Sequence, residues 1–114
     1  MDDIYEVIVS DKLYEKIING RCYYYIFVND RKRLAYKVGN VLTFKTEDKK
    51  LTATIVGMLY FASIKDLLDM VGKEKCGFSP SQNPDVIEDI YYTSYKPEDI
   101  EKFGLVAVEF KIDK

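Results

Sequence analysis

The sequence predicts an α+β domain, a small mixed or antiparallel β-barrel of about five to six strands with about three to four short helices against its openings. Three observations carry this. Strand-patterned segments follow one another with short turns at Asn29-Asp30 and Gly39-Asn40, which points to antiparallel neighbours. Helix-patterned segments enter that order at only two places, after the first strand and before the last. The 114 residues, 47% hydrophobic and 14% aromatic, suffice to bury a core without disulfides or metals, so a single domain spanning 1–114 is expected.

Tyr5 to Val9 is a short β-branched run and reads as the first strand. Ser10 offers an N-cap to a helix whose apolar residues Leu13, Tyr14, Ile17 and Ile18 share one face, and Asn19-Gly20 supplies its stop. Tyr23 to Val28 is a strand apolar on both faces. Leu34 to Val38 reads as a further short strand, and Val41 to Phe44 resumes the pattern after Gly39-Asn40. The charged connection 47–50 leads into Leu51 to Tyr60, whose alternation is that of a half-buried strand, and together these runs imply an antiparallel meander. Ser63 caps a helix with Ile64, Leu67, Leu68 and Val71 on one face, closed by Gly72. Segment 73–84, with two prolines, is the longest irregular stretch. Asp85 to Tyr92 is helical in spacing, Lys96-Pro97-Glu98-Asp99 opens another helical turn ended by Phe103-Gly104, and Leu105 to Ile112 is the last strand.

Composition excludes several function classes. Histidine is absent, which removes the commonest general base near neutral pH and the commonest metal ligand, and with them Ser-His and Cys-His nucleophilic sites. Seventeen basic residues against 19 acidic give a net charge of −2, so electrostatic partners must be sought locally. No segment reaches the roughly 18 apolar residues of a membrane span, and Met1 leads into Asp2 and Asp3 rather than a basic leader, so no membrane partner and a cytoplasmic location are expected. Cys22 and Cys76 are then expected as free thiols, Cys22 buried and inert. Asp85, Glu88 and Asp89 share a helical surface that would either take a divalent metal or stay solvated; solvation is the expectation, with no metal and no cofactor.

Residues 20–33, GRCYYYIFVNDRKR, carry the densest functional signal. In a strand Tyr24 must oppose Tyr23 and Tyr25, so one face of the trio at most lines a pocket. Tyr23, Tyr25 and Phe27 would either present rings on which bases stack or fill a small core. Arg21, Arg31, Lys32, Arg33 and Lys37, with Asp30 as the local counter-charge, would either neutralise phosphates or form a solvated hairpin guarding a sheet edge. Gly77-Phe78-Ser79-Pro80 is too poor in glycine for a phosphate cradle and reads as a lid or spacer.

From Leu13 to Lys111 the chain resembles the ASCH domain family, small β-barrel relatives of the PUA fold. The resemblance rests on the helix ending Ile17-Ile18-Asn19-Gly20-Arg21, on Asn29-Asp30 before Lys32-Arg33, on Lys37-Val38-Gly39-Asn40 leading to Phe44, and on Glu101-Lys102-Phe103-Gly104 before the final strand. It implies RNA or modified-nucleoside binding in a cleft beside the first helix, and in some members hydrolysis of an acylated cytidine. The family's helix-to-strand pattern, Gly-Arg/Lys-Lys-Thr-x-Glu/Thr-x-Arg, matches at Gly20 and Arg21 and then departs. Its lysine falls on Cys22, its threonine on Tyr23, its Glu/Thr on Tyr25 and its arginine on Phe27, and Gly39-Asn40 stands where its Gly-Asp would. The lysine and hydroxyl nucleophile of the amidohydrolase-like members would lie at Cys22 and Tyr25, so the inherited catalytic set is missing.

Three readings stay open on the sequence. In the first, the domain binds RNA or a modified nucleoside through Arg21, Tyr23, Tyr25, Arg31, Lys32, Arg33 and Lys37, without catalysis, as a monomer or weak homodimer. In the second, it hydrolyses acylated nucleosides with a re-sited catalytic group. In the third, the aromatic strand serves as a protein-interaction surface.

Overall fold

The computed structural model describes residues 4–113; Met1 to Asp3, where the absence of a basic leader was read, and Lys114 lie outside that range. Five strands form one sheet: β1 (Ile4–Ile8), β2 (Tyr24–Val28), β3 (Val41–Lys45), β4 (Lys50–Phe61) and β5 (Leu105–Ile112), in the order β1-β3-β4-β5-β2. Four helices accompany them: α1 (Asp11–Ile18), α2 (Ile64–Met70), α3 (Pro84–Ser94) and α4 (Pro97–Phe103). The class is the expected mixed α+β, with the sheet curled into a half-barrel rather than a closed one.

Curvature comes from β4. Its first residues pair with β3 and its later ones with β5, and the register slips between Ile55, opposite Phe110, and Gly57, opposite Glu109. Val56 is the extra residue, and a bulge of this kind bends the strand and raises its twist. Gly57 permits the approach, since a Cβ there would lie 2.9 Å from Glu109 Oε1.

The sheet buries both of its faces. Along β5, Val106, Val108 and Phe110 enter the concave core with Val7, Leu42, Phe44, Ile55 and the α1 residues Tyr14 and Ile17. Leu105 and Ala107 enter a second core with Ile64 and Leu67 of α2, Ile87 and Tyr91 of α3 and Ile100 of α4. A strand covered on both sides needs a continuous apolar run, which is what Leu105 to Val108 supplies. Each fully buried Phe27, Phe44 or Leu42 contributes about 1.5–3 kcal/mol relative to exposure.

The capping chemistry read from the sequence is present. Ser10 and Ser63 accept from the amides of Leu13 and Asp66 at the starts of α1 and α2, and Gly20 takes a φ of 77° just past α1.

Two expectations are corrected. Leu34 to Val38 is not a strand: residues 33–35 form a 3-10 turn, held by Arg33 and Leu34 amides on the Asp30 carbonyl and by Tyr36 N–H on Arg33 O. Leu34 and Val38 stay 66% and 62% exposed, while Tyr36 alone turns in, at 4%. The meander also breaks, because β1 pairs with β3 in parallel and β2 crosses to the far edge beside β5. Without a sixth strand β1 and β2 remain edges, and Tyr36 fills the gap between them. Its ring stacks on Tyr5 of β1 at 4.1 Å and meets Phe27 of β2 edge-on at 5.4 Å.

Candidate ligand-binding cleft

Edge strand β2 organises the site. The bonds from Asn29 N–H to Gly104 O and from Phe110 N–H to Tyr23 O fix the odd-numbered residues of β2 as those bonded to β5. Tyr24, Ile26 and Val28 therefore carry their amides and carbonyls to the open side. Their carbonyls are capped there: Tyr95 Oη donates to Ile26 O at 2.7 Å, Cys22 Sγ lies 3.4 Å from Tyr24 O, and Asp30 N–H donates to Val28 O. The edge is blunted against strand pairing, while the Tyr24 and Ile26 amides still point outward.

Beyond that edge lies a cleft of about 650 Å³. Helix α1 contributes Lys12, Leu13 and Lys16 to its wall, and β2 contributes Tyr24, Tyr25 and Ile26. The turn after α2 adds Cys76, Gly77, Phe78 and Gln82, and α3 with its cap adds Ile90, Tyr91, Ser94 and Tyr95. Lys12 and Lys16 come to one face by their i, i+4 spacing, and Tyr91 and Tyr95 do so likewise. Lys16 Nζ donates to the Gly77 carbonyl, fixing the turn against α1, and Tyr23 N–H on Lys75 O ties the same turn to β2. Among the described residues, no carboxylate lines this cleft. It is a donor-rich, ring-lined cavity with two lysines in a chain whose net charge is −2.

Burial keeps the phenols and the Cys76 thiol of the cleft protonated near neutral pH. Burial raises the phenols of Tyr25 and Tyr95 above the ordinary tyrosine range, with the Arg33 charge offsetting a part, and holds Tyr91 well above it. Burial also pushes the Cys22 thiol up to about 11, against a smaller opposing effect of its bond to Tyr24 O, and the Cys76 thiol up to about 12. Neither thiol is a nucleophile near neutral pH.

The residues singled out in the sequence fall into separate places. Tyr23, Tyr25 and Phe27 pack on the barrel side of β2, and Tyr24, Ile26 and Val28 on the helix side, so both faces of the aromatic strand are covered. Tyr25 lies 4.8 Å from the Phe27 ring and 5.9 Å from that of Phe44, and still reaches the cleft wall. Tyr23 is half-buried, tilted against Tyr24 at 5.3 Å, and is not in that wall. Arg21 is exposed and lines a recess of about 390 Å³ adjoining the cleft, with Lys16, Glu74, Gly77 and Phe78.

The other cations lie in segment 31–37, past the far end of β2, and line neither cavity. Arg31, Lys32 and Lys37 are exposed. Arg33 is half-buried, its guanidinium 4.5 Å from the Phe27 ring centroid, 5.7 Å from that of Tyr36 and 3.9 Å from Asp30. Sequence reasoning missed Lys12, Lys16, Phe78, Tyr91 and Tyr95. The i, i+4 spacing of each pair was the available signal, but nothing local says that α1 and α3 converge on β2. Among the described residues, no three Cys, Asp or Glu side chains gather closely enough to hold a metal ion.

No protein-family model and no curated protein matches the chain. Solved structures do. The crystal structure of hypothetical protein PH0355 is similar with a TM-score of 0.84 and 25% identity, over 96% of this chain and 99% of that one. The solution NMR structure of protein PF0455 from Pyrococcus furiosus is similar with a TM-score of 0.80 and 23% identity, over 96% of each chain. The whole half-barrel with its helices is thus an architecture that these chains share end to end.

Proposed function

We propose that the chain is an ASCH-like, PUA-type domain that binds RNA or a modified nucleoside in the cleft between α1, β2 and α3, without hydrolysing it. The lining, free of carboxylates among the described residues, supports this reading: two lysines and the rings of Tyr24, Tyr25, Phe78, Tyr91 and Tyr95 surround about 650 Å³, within the roughly 300–1,000 Å³ range of small-molecule sites. The rings offer apolar faces to a base, and the phenols, Ser94 and the outward β2 amides offer donors to its oxygens. The exposed cations Arg21, Arg31, Lys32 and Lys37 would contact phosphates further along a chain, adding affinity without sequence preference.

Two features of the same site weigh against the other readings. Hydrolysis of an acylated nucleoside needs a base to activate water or a hydroxyl, and among the described residues the cleft has neither carboxylate nor histidine beside the protonated Cys76 thiol and the phenols. A protein seam along the aromatic strand would need a free face, and both are packed against a core, which leaves Tyr23, Tyr24 and Tyr25 only half-exposed.

Filter binding with short single-stranded and structured RNAs, and calorimetry with cytidine and N4-acetylcytidine, test the proposal. Binding that weakens about ten-fold in the double variant Lys12→Ala, Lys16→Ala is expected, with release of free acid no faster than in a heat-killed control. Absence of any binding at about 10 mM salt, where electrostatic attraction is strongest, would sink it.

A further inference from the structure

The cleft does not end at Lys16. That side chain, Gly77 and Phe78 form a wall common to the cleft and to the smaller recess that holds Arg21. Lys16 belongs to α1, Arg21 follows its Gly20 stop, and the turn from Arg21 into β2 is set by the Arg21 and Cys22 amides on Lys16 O. The two cations are therefore placed by a rigid helix end rather than by a loop. Arg21 is exposed and makes no ion pair among the described residues, where the ion pairs are those of Arg33, Lys45 and Lys49. Among the described residues Glu74 is the one carboxylate on either wall, so there cleft and recess together present Lys12, Lys16 and Arg21 against a single negative charge.

We propose, building on the reading of the cleft as a nucleoside site, that its ligand is a nucleotide whose terminal phosphate lies in the recess between Lys16 and Arg21. The division of chemistry between the cavities carries this inference. The larger one has rings and donors suited to a base, and the smaller one has a guanidinium with its five donors in a planar fork beside an ammonium, suited to a phosphate. The ligand must pass Phe78 and the Gly77 turn to reach both. Gly77, at φ 95°, lets that turn pack directly against α1 and the segment leading into β2, since a Cβ there would already meet Leu13 Cδ1 at 2.9 Å and Cys22 Sγ at 3.3 Å.

Calorimetric titration of the full chain with the four ribonucleosides and their 5′- and 3′-monophosphates tests this, alongside Arg21→Ala, Glu74→Gln and Lys102→Ala. The expected result has three parts. At least one monophosphate binds about ten-fold or more tightly than its nucleoside. Arg21→Ala removes that preference while leaving nucleoside affinity unchanged. Glu74→Gln enlarges the preference and Lys102→Ala, at an exposed lysine that lines neither cavity, leaves it alone. Nucleosides and monophosphates binding equally well would overturn the phosphate site and leave the nucleoside reading standing. A preference that survives Arg21→Ala would overturn its placement. No binding of nucleosides, monophosphates or RNA would overturn this inference and the proposed function together.

Discussion

Arg33 shows how a basic residue in a basic cluster can be spent on packing. Its guanidinium covers Phe27 and the edge of Tyr36, and Tyr36 in turn bridges the two free edges of the sheet, so Arg33 seals the open side of the half-barrel. Its Nε is buried without a hydrogen-bond partner among the described residues, which an apolar contact tolerates only because the ring faces compensate the charge. Arg33→Ala is expected to lower stability by about 1–2 kcal/mol through lost stem packing and lost cation–π contact. Arg33→Met should lose less because it keeps the stem, and a urea titration in which both variants match the wild type would rule the sealing role out. The charges of residues 31–33 were legible in the sequence; which of the three would turn inward was not, because that depends on Tyr36 abandoning a strand conformation. Tyr23 and Tyr25 divide in the same way, since alternation puts both on one face and only the tertiary arrangement decides that Tyr25 alone reaches the cleft.

Elements with local punctuation were readable, and those defined by distant pairing were not. Helices α1, α2 and α4 stand where caps, prolines and glycines mark them, α3 stands where its spacing does, and the β3–β4 hairpin turns at the charged connection. The pairing of β2 with β5 spans most of the chain, and nothing in Tyr24–Val28 distinguishes β5 from β3 as its neighbour. Gly104 joins the two kinds of information. The sequence marks it as the stop of α4, but its φ of 74° and ψ of −171° lie in a region reserved to glycine, and a Cβ there would sit 2.9 Å from the Phe61 carbonyl oxygen. It also accepts the Asn29 amide, so the same residue ends a helix, starts β5 and anchors the end of β2. Gly104→Ala should therefore cost about 2–3 kcal/mol or more, well above the usual gain or loss at a helix end. Denaturation midpoints would measure it, and a loss below about 1 kcal/mol would show that the backbone can shift without disturbing β2.

At the scale of the molecule, the two cores are joined at their two thiols. Cys22 packs in the barrel core and Cys76 in the helical core, and the Tyr23 to Lys75 hydrogen bond holds their segments side by side. Burial raises them from an ordinary 9.0 to about 11 and about 12 respectively. Between those limits the unfolded chain has lost thiol protons that the folded chain retains, so the folded state binds more protons and stability must fall as pH rises. The contribution is fully present below about pH 8–9 and disappears as pH passes through about 11–12, at up to about 1.4 kcal/mol per pH unit for each thiol. The tyrosines raised by burial, Tyr25, Tyr36, Tyr91 and Tyr95, act in the same direction from about pH 10, their ordinary value, upward. Unfolding free energy from guanidinium titrations should then be level from pH 7 to 8, fall by about 1–2 kcal/mol between pH 9 and 10, and fall more steeply beyond. In the double variant Cys22→Ala, Cys76→Ala, the fall between pH 9 and 10 should flatten while the steeper tyrosine-driven fall above pH 10 remains. The comparison of slopes is independent of whatever the variant loses in packing at neutral pH. An unchanged slope between pH 9 and 10 would mean that the thiols ionise freely in the folded chain, and that the joint between the two cores is open to water.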